Sequence, residues 1–86
     1  MVGGNNSVTS LKTAILGYMK SGKIVYLDCI SVTANYIATK TVIATKAQLV
    51  TLGKELDFDI IYKDYEIENS RGSNIKTGIR WILQDA

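Results

Sequence analysis

The sequence has no histidine and no proline, a single cysteine, one tryptophan and one phenylalanine. Without histidine, imidazole acid–base catalysis and His-ligated metal sites are excluded. Cys29 alone can close no internal disulfide and cannot build a thiolate metal site. Its place in an apolar segment marks it as a buried, inert thiol. No apolar run approaches the roughly 18 residues that span a bilayer. The opening Met1-Val2-Gly3-Gly4-Asn5-Asn6 has no basic region followed by an apolar core, so a cytoplasmic setting without membrane attachment is expected. Phosphate-cradling signatures are also missing. Ser21-Gly22-Lys23 lacks the upstream glycine and following Ser/Thr of a P-loop and leads into a strand, and no G-x-G-x-x-G occurs.

What is present is a chain of 86 residues, 47% of them hydrophobic. That is enough for one domain over 1–86 and too apolar for disorder. A chain this short buries only about 60 to 65% of its unfolded surface, so it gains from association. Its organising stretch runs from Ile24 to Leu52. Residues 24–30 carry apolar side chains at both odd and even positions, the pattern of a central strand covered on both faces. From Ala34 to Leu52 the pattern turns helical, with Lys40 and Lys46 as the only charges. Tyr36, Ile37, Val42, Ile43, Leu49, Val50 and Leu52 do not fall on one stripe, so this helix is expected to be buried on more than one side. One sheet covers one side only. A second copy of the chain, packed on Tyr36, Ile43 and Val50, is the expected cover for the other.

The remaining segments complete an order of (β)αβαββ. Residues 1–3 read as the stub of a first strand, and 4–7 as a loop with Asn6 or Ser7 capping a helix over 8–21. Val8, Leu11, Ile15 and Tyr18, with Ala14, form its apolar stripe, and Gly22 ends it. Gly53 closes the second helix. Residues 58–67 and 75–83 read as strands around a polar loop, 69–74. Pairing Glu68 with Lys76, Asp64 with Arg80 and Tyr65 with Ile79 matches charges and puts Tyr65, Ile67, Ile75, Thr77, Ile79, Trp81 and Leu83 on the core face. The expected fold is α+β, with two helices packed on a four-stranded mixed sheet.

Net charge is +2, unevenly placed: six lysines against Asp28 before residue 55, then two lysines and two arginines against seven acids. That asymmetry hints at an anionic partner on the N-terminal side, although on charge alone a solvated surface with segregated charges is the preferred explanation. The acids at 64, 66 and 68 are better explained by a solvated face paired with Lys76 and Arg80 than by a cation site. No catalytic constellation, metal site or cofactor motif is found. Three polar loops remain, at 3–7, 31–35 and 69–74. The first two precede helices, where free amides and the helix dipole favour phosphate; the third carries Arg71.

Several scattered positions carry a resemblance: Ser7-Val8 opening the first helix, Gly22 closing it, and the apolar strand 24–30. Ala34, Ala38, Lys40 and Val42 in the second helix and Asp64-x-x-Ile67 with Gly78-Ile79-Arg80-x-Ile82 in the closing hairpin add to it. Together they resemble the stage V sporulation protein S family and, more distantly, the archaeal Alba chromatin proteins. The resemblance implies an Alba-like βαβαββ fold, homodimerisation and binding to DNA or RNA. The implied contacts are Asn5 and Asn6 in the first loop, Ser31, Thr33 and Asn35 with Lys40 at the second helix, and Arg71 on the hairpin arm. Gly4-Asn5-Asn6 stands where Alba proteins usually carry Lys-Lys-Pro, which removes phosphate-pairing lysines from that loop. The function expected is a small dimeric, non-enzymatic nucleic-acid-binding protein. The alternative is a sporulation-type regulatory or protein-interaction module that binds no nucleic acid. A fold analogy supplies no active site.

Overall fold

A computed structural model describes residues 1–85. Five elements follow one another: helix α1 (Val8–Lys20), strand β1 (Val25–Cys29), helix α2 (Val32–Thr51), and strands β2 (Leu56–Asn69) and β3 (Gly72–Asp85). Both helices are started by serine. Ser7 Oγ accepts from Ser10 N at 3.3 Å and Ser31 Oγ from Ala34 N at 3.0 Å, each satisfying an amide with no partner inside its helix. Both end the same way. Gly22 and Gly53 adopt φ of 74° and 70°, and the next residue donates back to the carbonyl five positions earlier (Lys23 to Tyr18, Lys54 to Leu49). This pattern closes the last turn.

The sheet is three-stranded and antiparallel, in the order β1-β3-β2. It is not the four-stranded mixed sheet expected. Residues 1–3 are too short to form a ladder. Val2 is buried and gives one backbone bond, from its N–H to Asp28 O at 2.8 Å, at the free edge of β1. Consequently β1 is an edge strand rather than a central one, and only one of its faces is covered. Val25, Leu27 and Cys29 are buried, while Ile24 and Tyr26 are exposed on the other side.

Both helices lie on the face that Val25, Leu27, Cys29, Trp81 and Leu83 share. Helix α1 contributes Ile15 and Met19 to this core, with Leu11 and Leu16 at its border. Tyr18, expected on the stripe, points outward with Lys23 Nζ 5.8 Å from its ring centre. Helix α2 contributes Ala34, Ala38, Val42 and Leu49 together with Thr41 and Thr45, which are fully buried. Each threonine hydroxyl donates to the carbonyl four residues back at 2.8 Å, so its methyl packs and no polar atom is stranded. Burying a side chain the size of Ile15, Leu49 or Leu83 stabilises the fold by about 1.5–3 kcal/mol.

The hairpin departs most from expectation. Strands β2 and β3 run 14 residues each, and the polar stretch 69–74 reduces to a two-residue turn at Ser70-Arg71, with Asn69 opposite Gly72. The register pairs Asp64 with Thr77, Tyr65 with Lys76, Glu68 with Ser73 and Ile61 with Arg80. It is three residues from the register that matched charges. An odd slip exchanges faces. Tyr65 and Ile67 therefore lie on the face away from the helices, and Asp64, Glu66 and Glu68 on the helix side. The molecule measures 49 × 21 × 19 Å because the distal half of this hairpin projects as an arm.

Candidate nucleic-acid interface

The first loop and the start of α2 meet at one corner. Gly4 lies against Thr33 so closely that a Cβ on Gly4 would sit 2.8 Å from Thr33 Cγ2. The loop is folded back on itself by Gly3 N donating to Asn6 Oδ1 and Asn6 N donating to Gly3 O. Two helix N-termini thus open onto the same patch, and neither first turn contains an acidic residue. Aligned peptide dipoles give such a corner a positive potential without any lysine.

Asn5, Asn6, Ser31 and Thr33, four of the seven expected contacts, gather here, all exposed. Their availability differs. Ser31 Oγ is committed to its cap and Asn6 Oδ1 to Gly3, whereas no hydrogen bond of the Asn5 or Thr33 side chain occurs within the described residues. Asn35 lies beneath the corner and is half-buried. Its Oδ1 accepts from Trp81 Nε1 at 3.2 Å and its Nδ2 donates to Ser31 O at 3.0 Å, so it ties α2 to β3. Lys40 stands about 13 Å along α2 from Ser31, its Nζ 5.1 Å from the Tyr36 ring centre. Arg71 is apart from all of these, exposed at the tip of the arm, where Asn69 Oδ1 accepts from its backbone N–H at 2.8 Å.

Residue-by-residue reading of the sequence missed two further features. One is a network that ties all three strands together on the open face of the sheet. Asp28 on β1 accepts from Arg80 Nε at 2.7 Å and Arg80 Nη2 at 3.2 Å on β3, and from Tyr65 Oη at 2.6 Å on β2. Arg80–Asp28 is the one ion pair among the described residues, so the expected partners Asp64 and Glu68 are not used for Arg80 and Lys76. The hydrogen bond from Arg80 holds the Asp28 carboxyl below its ordinary range, against a smaller opposing effect of burial. Desolvation first, and then its bond to Asp28, push the Tyr65 phenol up to about 12. Burial likewise pushes the Cys29 thiol up to about 11, which fits an inert cysteine. Tyr65 reaches Asp28 by crossing Gly78, where an added Cβ would lie 2.9 Å from its ring and closer still to Cys29 O.

The second missed feature is the charge sorting of the arm. Asp64, Glu66 and Glu68 share the helix-side face with Ile75 and Thr77, whose hydroxyl donates to Asp64 Oδ1 at 2.6 Å. Lys63 and Lys76 fall on the opposite, open face with Tyr65 and Arg80. The alternation Lys63-Asp64-Tyr65-Glu66 carried this signal once the register was known.

The family model for stage V sporulation protein S (SpoVS) matches residues 1–85. The chain belongs to the SpoVS family. Membership marks it as a sporulation-related protein. A comparison with curated proteins finds no match. Two general observations bound the SpoVS reading. Among the described residues no helix is long and apolar enough to cross a membrane, and no group of three or more Cys, Asp or Glu is placed to hold a metal ion.

Proposed function

We propose that this SpoVS-family chain is a cytoplasmic, non-enzymatic protein that binds DNA or RNA as a homodimer, through its two-helix corner and its hairpin arm. The observation that carries the nucleic-acid reading is the convergence of two acid-free helix N-termini at Gly4 and Thr33, a place suited to phosphate. Asn5 and Thr33 would donate to the backbone there, with Lys40 further along α2 and Arg71 reaching a groove from the arm. Such contacts read backbone and shape more than base edges.

The dimer reading rests on the outward face of α2. Tyr36, Ile43 and Val50 recur every seven residues and are 58%, 64% and 62% exposed. Phe58, Ile60 and Tyr62 on the helix-side face of β2 are exposed as well, with Phe58 stacked on Trp81 at 6.2 Å beside the Asn35 bond. Together these six side chains offer on the order of 700 Å², close to the roughly 800 Å² that each partner gives a standard interface. A single chain leaving this much apolar surface in water is unusual.

Electrophoretic mobility shift at low salt with unrelated duplex DNA and RNA tests the binding. A shift at micromolar protein, weakened by Arg71→Ala with a shallower salt dependence, is the expected result. A regulatory module that binds only protein is the second reading, favoured by the same exposed apolar patch and by a net charge of only +2. Absence of any shift at micromolar protein would select it.

A further inference from the structure

The face of the sheet opposite the helices has no cover, and its chemistry is ordered along the strands. At one level Tyr26 stands 52% exposed, with the Arg80 guanidinium 4.5 Å above its ring centre. That guanidinium is held at two nitrogens by Asp28, which Tyr65 also grips. The tyrosine–arginine plane is therefore held in place from three strands, and ordering it on binding costs little entropy. Further toward the arm tip come Lys63, level with Gly78, and Lys76, level with Tyr65. Neither forms an ion pair within the described residues, because the acids of the arm point to the other face. The two acids of this face on β2, Asp57 and Asp59, lie at the opposite end, at or beyond the level of Ile82. From Tyr26 to Lys76 the sequence of groups is a π platform followed by two free cations, over roughly 20 Å of strand.

A platform of this kind needs a ligand with an open aromatic face and negative charges at intervals beyond it. Bases in a duplex are stacked on one another and offer no free face, whereas an unpaired base stacks readily on tyrosine or arginine. We infer that the open sheet face binds single-stranded nucleic acid, one base stacking on the Tyr26–Arg80 plane and the backbone running toward the arm tip past Lys63 and Lys76. This rests on the nucleic-acid reading above but names a different surface from the two-helix corner, and a different form of ligand.

Fluorescence anisotropy with a labelled twelve-nucleotide oligothymidylate, an oligouridylate and a duplex of equal length tests it, for the full chain and three variants. Tyr26→Leu keeps apolar bulk but loses the π face and is expected to weaken single-strand binding about tenfold, with duplex affinity held within twofold. Tyr26→Phe is expected to retain single-strand affinity, and Lys63→Ala with Lys76→Ala to flatten its salt dependence. Circular dichroism checks that each variant keeps its helices. If wild-type protein binds single strands and Tyr26→Leu changes nothing, or weakens duplex and single strand alike, the sheet face is not the site while the nucleic-acid reading stands. If wild-type protein binds only the duplex, the inference fails alone. If it binds neither at micromolar concentration, both fall.

Discussion

The two long faces of α2 are built from opposite materials. Inward it presents Ala34, Ala38, Thr41 and Thr45, with Val42 and Leu49 as its larger members; outward it presents Tyr36, Ile43 and Val50. A globular helix ordinarily buries its largest apolar groups and shows its small or polar ones. Here the small face allows α1 and the sheet to approach closely, so the interior is filled by backbone proximity and by threonine methyls. The large face is exposed in the single chain, and it is the face that the proposed dimer would cover. The inversion teaches that the apolar content of this helix is divided between a tight intramolecular contact and an exposed face, which in the proposed dimer would be intermolecular. That is also why periodicity showed no single stripe.

Substitutions can break or sharpen this contrast, and the inward face gives the largest effects. Leu49→Ala leaves a cavity and is expected to cost about 3 kcal/mol in urea unfolding, with the slope of the transition unchanged. Ala38→Leu, at a position with no exposure, forces the two helices apart and is expected to cost about 2 kcal/mol. On the outward face Ile43→Glu is expected to leave the stability of a lone chain within about 0.5 kcal/mol, while abolishing association in size-exclusion chromatography. If Ile43→Glu instead unfolds the chain, the outward face is an intramolecular contact and the contrast collapses. Thr45→Val, which removes a hydroxyl already satisfied within its own helix, is expected to change stability by less than about 1 kcal/mol.

The pH dependence of stability comes from the other side of the sheet. Asp28 titrates below its ordinary value of 3.8 in the folded chain, so its contribution is present above that pH and is lost as pH falls through the folded value. Tyr65 behaves oppositely. Its folded value is raised from 10.0 to about 12, so its contribution is complete below pH 10 and disappears between about 10 and 12. A urea-unfolding series across pH is therefore expected to fall at both extremes, and Asp28→Asn to remove the acid limb. An acid limb that survives Asp28→Asn would place the acid sensitivity elsewhere.

Local signals were readable from the chain, and long-range ones were not. A cap at Asn6 or Ser7, of which the structure uses Ser7, and a stop at Gly22 bounded α1, and Gly53 marked the end of α2, because caps and left-handed stops depend only on neighbouring residues. The hairpin register was not readable. Pairing Asp64 with Arg80 looked favourable, but exposed ion pairs are worth about 0–1 kcal/mol, too little to set a register. It is set instead by groups distant in sequence. Asp28 draws Arg80 and Tyr65 together, Gly78 leaves room for the tyrosine, and Trp81 packs beside Phe58. The first strand failed for a simpler reason, since residues 1–3 have length for one backbone bond. At the corner, Asn5, Asn6 and Ser31 stand before helices, as the loop composition suggested, whereas Thr33 lies in the first turn of α2, which begins at Val32 rather than Ala34. The tie from Asn35 to Trp81 could not be anticipated, because its partner lies 46 residues away.

Sedimentation equilibrium of the unmodified chain across roughly one to one hundred micromolar addresses the outward face of α2 most directly. A mass of two chains, twice 9.4 kDa, that returns to one chain in Ile43→Glu is the predicted result. A single-chain mass at the highest concentration would contradict the account, because Tyr36, Ile43 and Val50 would then face water with no twin to cover them.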